Sequence, residues 1–187
     1  LKFLNEDINL KKFKIPSGEI FSLDMLKYIR EQYKLIILST GMATFDEIEK
    51  SINYLNLNER KDITLLHCIS NYPTSPDEVN MRVMQELKKR FKYPVGFSDH
   101  TIDNRSSLTA VAMGASIIEK HVTLDQNMSG PDHKSSSTIK EFKELVKSIR
   151  KIEKIMGEPI KKISKKEKDV SEVARKSIVS NRDILQG

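Results

Sequence analysis

Two histidines, His100 and His121, lie 21 residues apart, each just beyond a short apolar run. That interval is about one strand plus one helix. Neighbouring strands of a parallel sheet lie about 4.8 Å apart, so imidazoles at two adjacent strand ends can converge. Two neutral imidazoles completed by oxygen ligands or water suit a divalent cation such as Mn²⁺, Fe²⁺, Co²⁺ or Zn²⁺. Two histidines also suit ordinary hydrogen-bonded roles, and spacing alone leaves both readings open. Glu119 precedes His121 by two, so both side chains share a strand face. A carboxylate there can orient an imidazole or bind substrate. The other apolar runs end on Lys14 and Ser17, on Ser39 and Thr40, on Ser70, Asn71 and Tyr72, and on Ser98 and Asp99. Hydroxyls, exposed amides and lysine suit a phosphate or a carboxylate. Asp132 falls in a long loop, Gly130-Pro131-Asp132-His133, after the His121 run. It can accept hydrogen bonds from sugar hydroxyls or serve as a solvated turn acid, and long loops in compact domains are often functional.

These residues need elements to carry them. Five short apolar runs recur: Phe13–Ile15, Leu35–Leu38, Ile63–Cys68, Pro94–Phe97 and Ser116–Glu119. Each is followed by polar residues and then by apolar spacing of helical period, which predicts helices at about 21–32, 44–56, 79–91, 105–114 and 138–156. Ile48, Ile52 and Leu55 share one helix face, as do Phe142, Leu145, Ile149, Ile152 and Ile155. Thr44 with Glu47, and Thr138 with Glu141, fit capping boxes. Short apolar strands alternating with helices predict a parallel α/β fold, and functional groups in such folds collect at the carboxyl ends of the strands. The recurrence suits a (β/α) barrel, and pattern alone leaves a doubly wound sheet open. After Gly157 the pattern lapses. Residues 158–176 read as a Lys-rich linker, and Ser177–Ser180 as the start of a further strand.

Composition narrows the class. The 187 residues are 31% charged and 38% hydrophobic, as in a folded domain with a core. They are too few for a complete eight-unit barrel, which takes roughly 250. No apolar run approaches the ~20 residues that span a bilayer, so no membrane partner is expected. The single cysteine excludes a disulfide framework and a cysteine metal cluster, and a reducing cytoplasm is the simplest location. Cys68 reads as a core residue, with His67 on the opposite strand face. The net charge of +6 is concentrated in residues 139–176, with 13 Lys/Arg against 7 Asp/Glu. That segment has one aromatic, Phe142, so it reads as a solvated helix face and tether, and no nucleic-acid partner is expected. No Gly-x-Gly-x-x-Gly or Gly-Lys-Ser/Thr loop is present, which weakens dinucleotide and P-loop readings.

Taken together, the motifs resemble the sialic acid synthase family, enzymes that condense phosphoenolpyruvate with an N-acylated mannosamine-type sugar. The matching stretches are Lys14-Ile15-Pro16-Ser17-Gly18-Glu19-Ile20, Leu38-Ser39-Thr40-Gly41-Met42-Ala43, Leu66-His67-Cys68 with Tyr72-Pro73-Thr74, Gly96-Phe97-Ser98-Asp99-His100-Thr101, Glu119-Lys120-His121 and Gly130-Pro131-Asp132-His133-Lys134. Ala174-Arg175-Lys176-Ser177 resembles the entry to the family's antifreeze-like (SAF) domain. Phe97 and Ile102-Asp103-Asn104 depart from the commoner family residues without losing a site group, and Ser70 stands where the family varies between Asn and Ser.

The resemblance implies a (β/α)8 TIM barrel of which about the last five βα units are present. Residues 1–157 would form the partial barrel, and 158–187 a linker and the start of the antifreeze-like domain. It implies that His100 and His121 bind a divalent metal, Mn²⁺ with Mg²⁺ or Co²⁺ as alternatives. Lys14, Ser17, Ser39, Ser70 and Ser98 would hold phosphoenolpyruvate, Tyr72 and Asp132 would contact the sugar, and Glu119 would line the site as a catalytic group. The product would be a nine-carbon sialic-acid-like sugar acid plus phosphate, made by a cytoplasmic homodimer. N-acetylmannosamine would give sialic acid, and a 2,4-diacetamido trideoxy mannose would give legionaminic acid. The Pro131-Asp132-His133-Lys134 stretch and the Lys14–Glu19 opening look closer to legionaminic acid synthases. Pseudaminic acid synthase and a non-catalytic fragment are the alternatives. The chain starts at Leu1 rather than Met, and three barrel units with a catalytic glutamate would lie upstream. The 187 residues alone are therefore expected to be inactive and weakly stable, because an opened barrel exposes strand edges and apolar surface.

Overall fold

The computed structural model describes residues 1–33, 35–56 and 62–186. The chain falls into two compact units, Leu1–Met156 and Gly157–Gly187. In the first unit, five strands form one parallel sheet in sequence order: β1 Lys12–Ile15, β2 Leu35–Ser39, β3 Ile63–Cys68, β4 Val95–Asp99 and β5 Ile118–Lys120. Helices connect them: α2 Leu23–Gln32, α3 Phe45–Leu55, α4 Val83–Phe91 and α5 Arg105–Ala112, with α1 Lys2–Glu6 before β1. Beyond β5 come two short strands, β6 Val122–Thr123 and β7 Ser137–Thr138, paired with each other, and then α6 Ile139–Met156. This is a parallel α/β half-barrel.

Register explains which residues face the chemistry. Phe13, Ile36 and Ile63 align across the first three strands, as do Ile15, Leu38, Leu65 and Val95 on the row above. These side chains belong to one buried cluster with Leu26, Ile29, Ile48, Ile52, Leu55, Met84 and Leu87 from the helices. A strand's side chains alternate between faces. The opposite parity therefore puts Lys14, Ser39, Cys68, Ser98 and Glu119 on the inner face, where Cys68 pairs with Ser98 and Ser98 with Glu119. β4 is buried along its whole length, as expected of a strand covered on both sides.

The helix starts follow local chemistry. Thr44 accepts from the Glu47 N–H while Glu47 accepts from the Thr44 N–H, a complete capping box opening α3. Thr138 and Glu141 exchange the same pair of bonds ahead of α6. The helix expected from residue 79 begins instead at Val83, because Asn80 adopts a left-handed φ of 45° that no α-helix can contain.

The second unit differs from its sequence reading. The expected linker carries a ten-residue helix, α7 Lys165–Ala174, opened by a Ser164–Glu167 capping box. Ser177–Ser180 form no strand. Among the described residues no helix is long and apolar enough to cross a membrane.

Candidate active site

The carboxyl ends of the five strands enclose a cleft of about 280 Å³. Lys14, Ser17, Ser39, Ser70, Tyr72, Ser98, His100, Glu119 and His121 all line it, with Pro16, Gly18, Met42 and Cys68. Of the residues to which the resemblance gives a site role, Asp132 stands outside this lining, as do Thr40, Asn71 and Asp99 among the other strand-end residues. Asp132 Oδ2 lies 3.7 Å from Nδ1 of His121.

One side of the cleft is a cradle of hydroxyls. Ser17 opens a 3-10 turn after β1 and accepts a hydrogen bond from the Gly41 N–H at 3.0 Å. Its Oγ also lies 3.2 Å from the Cys68 thiol. Gly41 is required here. A Cβ at this position would stand 2.4 Å from Ser70 Oγ and 2.9 Å from both Cys68 Sγ and Ser17 Oγ. The next residue, Met42, adopts φ 60°, a strained conformation for a side-chain-bearing residue. Ser39 Oγ is buried and among the described residues has no hydrogen-bond partner. Such a group costs free energy unless something meets it, and it lines the cleft. Lys14 reaches across to Glu119, Nζ to Oε1 3.1 Å. Glu119 Oε1 also accepts from Ser98 Oγ at 2.7 Å.

The other side holds the imidazoles. His100 and His121 stand with ring centroids 5.5 Å apart and planes at 88°. Tyr72 packs against both at a tilt, its ring centroid 4.1 Å from that of His100 and 5.6 Å from that of His121. Nδ1 of His100 donates to the Ile69 carbonyl at 2.6 Å, which fixes the tautomer and leaves Nε2 as a lone pair. Ser98 Oγ lies 3.4 Å from that Nε2, but its single proton goes to Glu119. Burial pushes the His100 pKa below that of a free imidazole, outweighing the Ile69 hydrogen bond, so the neutral ring is favoured. Burial also pushes the Tyr72 phenol up, aided by Cys68, Asp132 and Glu119, so it remains a hydroxyl donor. A neutral imidazole donating its far N–H to a carbonyl is the usual state of a metal ligand. Among the described residues no three His, Cys, Asp or Glu side chains gather as a cage. The two imidazoles therefore fit a divalent ion only with water or substrate oxygens completing the shell.

Three residues that the sequence shows without an assigned role matter to this geometry. Asp99 and Lys120 form an ion pair at 3.1 Å with both side chains fully buried. The signal was present in the sequence, as opposite charges at the matching position of adjacent strand ends. Gly41 is the third, present in the sequence within the Leu38–Ala43 stretch with no sign that it floors the cradle. Cys68 is buried as expected, yet its sulfur faces the cleft rather than the helix layer.

A sequence profile of the NeuB family matches residues 1–161. The chain belongs to that family. Over 98% of its length it is 54% identical to N,N'-diacetyllegionaminic acid synthase of Campylobacter jejuni, covering 55% of that enzyme. It is 34% identical to the pseudaminic acid synthase of Helicobacter pylori, with 98% of this chain and 54% of that enzyme aligned. A solved N-acetylneuraminic acid synthetase from Leptospira borgpetersenii superposes with a TM-score of 0.81 at 33% identity, covering 90% of this chain and 59% of that one. The chain thus spans about half the length of the curated relatives it matches, and its half-barrel is a NeuB-family half-barrel.

Proposed function

We propose that the protein containing this chain condenses phosphoenolpyruvate with an N-acylated mannosamine-type sugar, giving a nine-carbon sialic-acid-like sugar acid and phosphate. The observation that carries the reading is the partnerless buried Ser39 hydroxyl beside Lys14, Ser17 and Ser98, facing two imidazoles across one cleft. In this reading Lys14 and the serine hydroxyls, Ser70 included, hold the phosphate and carboxylate of the enol phosphate by charge and hydrogen bonds. Tyr72 and Asp132 hold sugar hydroxyls. Carbon 3 of the enol phosphate bonds to the aldehyde carbon of the open-chain sugar, and water adds at carbon 2. The C–O bond to phosphate then breaks. Glu119, held between Lys14 and Ser98, faces the charge that develops at carbon 2. A divalent cation on His100 and His121, Mn²⁺ with Mg²⁺ or Co²⁺ as alternatives, would supply Lewis acidity at the aldehyde oxygen.

The higher identity to a legionaminic acid synthase favours a 2,4-diacetamido trideoxy sugar over N-acetylmannosamine. A pseudaminic acid synthase is the second reading, supported by the Helicobacter pylori relative. The reading extends to a cytoplasmic homodimer in which residues 158–187 lead into an antifreeze-like domain, and to a 187-residue piece that is inactive alone. The test is phosphate release by the complete gene product with Mn²⁺, phosphoenolpyruvate and each sugar in turn, with the product weighed by mass spectrometry. Release with the diacetamido sugar supports the reading. Release with N-acetylmannosamine alone moves the substrate to sialic acid. A folded protein that releases phosphate with no sugar contradicts it.

A further inference from the structure

The cleft residues of β4 and β5 alternate with a pair that never touches the cleft. Ser98 aligns with Glu119 and Asp99 with Lys120. One residue further along each strand stand His100 and His121. The middle pair is wholly buried, and its bonding is saturated. Lys120 Nζ has three protons and three acceptors: Asp99 Oδ2, the Thr101 carbonyl at 2.7 Å and the Asp103 carbonyl at 3.2 Å. Asp99 Oδ1 accepts from the Thr101 N–H at 2.8 Å and the Thr101 hydroxyl at 2.7 Å, and Oδ2 accepts from Ser107 at the start of α5. Lys120, the residue before His121, thus grips the loop that leaves His100.

We propose that Asp99 and Lys120 are positioning residues, fixing the stagger of β4 against β5 that brings Ser98 onto Glu119 and His100 beside His121. The physical reason is directional. A buried apolar pair would fill the same space but add no directional bond between the strands to the register that the backbone and burial already favour. An ion pair with every donor and acceptor assigned has one geometry, and a slip would strand a charge without water. The two imidazoles, by contrast, share no bond with each other. Their own contacts, Tyr72 against both rings and the Ile69 carbonyl on His100 Nδ1, come from the loop after β3 and do not tie β4 to β5.

The inference rests on the synthase reading for its readout, and the controls separate the two. The variant is Asp99→Asn with Lys120→Met in the complete gene product, which removes both charges and leaves no orphan ion. Binding of Mn²⁺, by the electron-paramagnetic signal of the free ion, and of phosphoenolpyruvate, by calorimetry, is measured well below the melting temperature. The expected result is Mn²⁺ binding weakened about 10–100-fold, the usual loss when a group behind a metal ligand is changed, with phosphoenolpyruvate also weakened. Unchanged affinities in a folded double variant overturn the proposal and leave the pair a purely structural one. If the double variant does not fold, Ser107→Ala, which removes one donor to Asp99, decides the matter: weaker Mn²⁺ binding at full foldedness supports positioning, and unchanged binding overturns it. A wild-type protein that binds neither ligand contradicts the synthase reading itself and this inference with it.

Discussion

At the β1–β2 end of the sheet the cleft groups stand on a 3-10 turn and a glycine, with Ser17 on the turn bonded to Gly41 and Ser39 without a partner among the described residues. At the β4–β5 end they flank a saturated, fully buried ion pair. The first end has donors to spare. At the second, Ser98 donates to Glu119, His100 Nδ1 to the Ile69 carbonyl, and Lys120 Nζ to Asp99 and to the Thr101 and Asp103 carbonyls. An end with unused donors suits an anion. An end with its donors committed holds shape, and the electron pair on His100 Nε2, with the His121 ring 5.5 Å away, suits a cation.

The sharpest way to break the rigid end is Asp99→Ala, which strands Lys120 without water. The cost is expected at about 3–5 kcal/mol, read as a lower urea midpoint in the complete protein. Gly41→Ala strikes the receptive end. Its methyl meets the Ser70 and Ser17 hydroxyls and the Cys68 sulfur, for about 1–3 kcal/mol of stability and a loss of phosphoenolpyruvate affinity while Mn²⁺ binding persists. If Gly41→Ala weakens both ligands equally, the two ends do not act separately.

Acid sharpens the comparison further. His67 is buried in the helix-side layer, donates to the Val79 carbonyl at 2.8 Å and has its pKa lowered by burial. The unfolded chain therefore takes up this proton more readily than the folded one. The stabilisation is complete above the unfolded value near 6.5, and it is lost as pH falls through that value toward the lower folded one. His100 adds a loss of the same sign. His67→Gln is expected to shallow the fall in melting temperature between pH 7 and 5, and an unchanged slope would remove His67 from the account. The smallest effect belongs to Ser164→Ala. It removes a capping box from α7 for about 1 kcal/mol of helix stability, visible in helicity, with ligand binding untouched.

Much of this was legible in the residues. Runs such as Ile63–Cys68 are too short and too apolar for surface helices, and each was followed by helical spacing, so five strand–helix units emerged from periodicity alone. Their polar ends named the cleft because parallel strands put their carboxyl ends together. The rest was hidden for specific reasons. α1 has no side-chain cap hydrogen bond and only five residues. β6 and β7 are two residues each, held by one another rather than by any propensity. Asn80 cut α4 short through a backbone angle that its neighbours' apolar spacing did not show. α7 was missed although Ser164-Lys165-Lys166-Glu167 carries the capping-box pattern, because its lysine-rich face obscured the period. Ser177–Ser180 are apolar enough for a strand but form none. Asp99 and Lys120 were visible as charges; that they meet, dry and fully bonded, depends on a register that only the folded sheet supplies.

In the proposed reaction an enol phosphate meets a sugar aldehyde in this cleft and its phosphate leaves by breaking the bond to carbon. Phosphoenolpyruvate carrying ¹⁸O in the bridging position tests it directly in the complete protein, supplied with Mn²⁺ and the diacetamido sugar. The account predicts that the label leaves with inorganic phosphate and that the sugar acid carries none of it. Label retained in the sugar acid would mean that the phosphorus–oxygen bond breaks instead, and would contradict it.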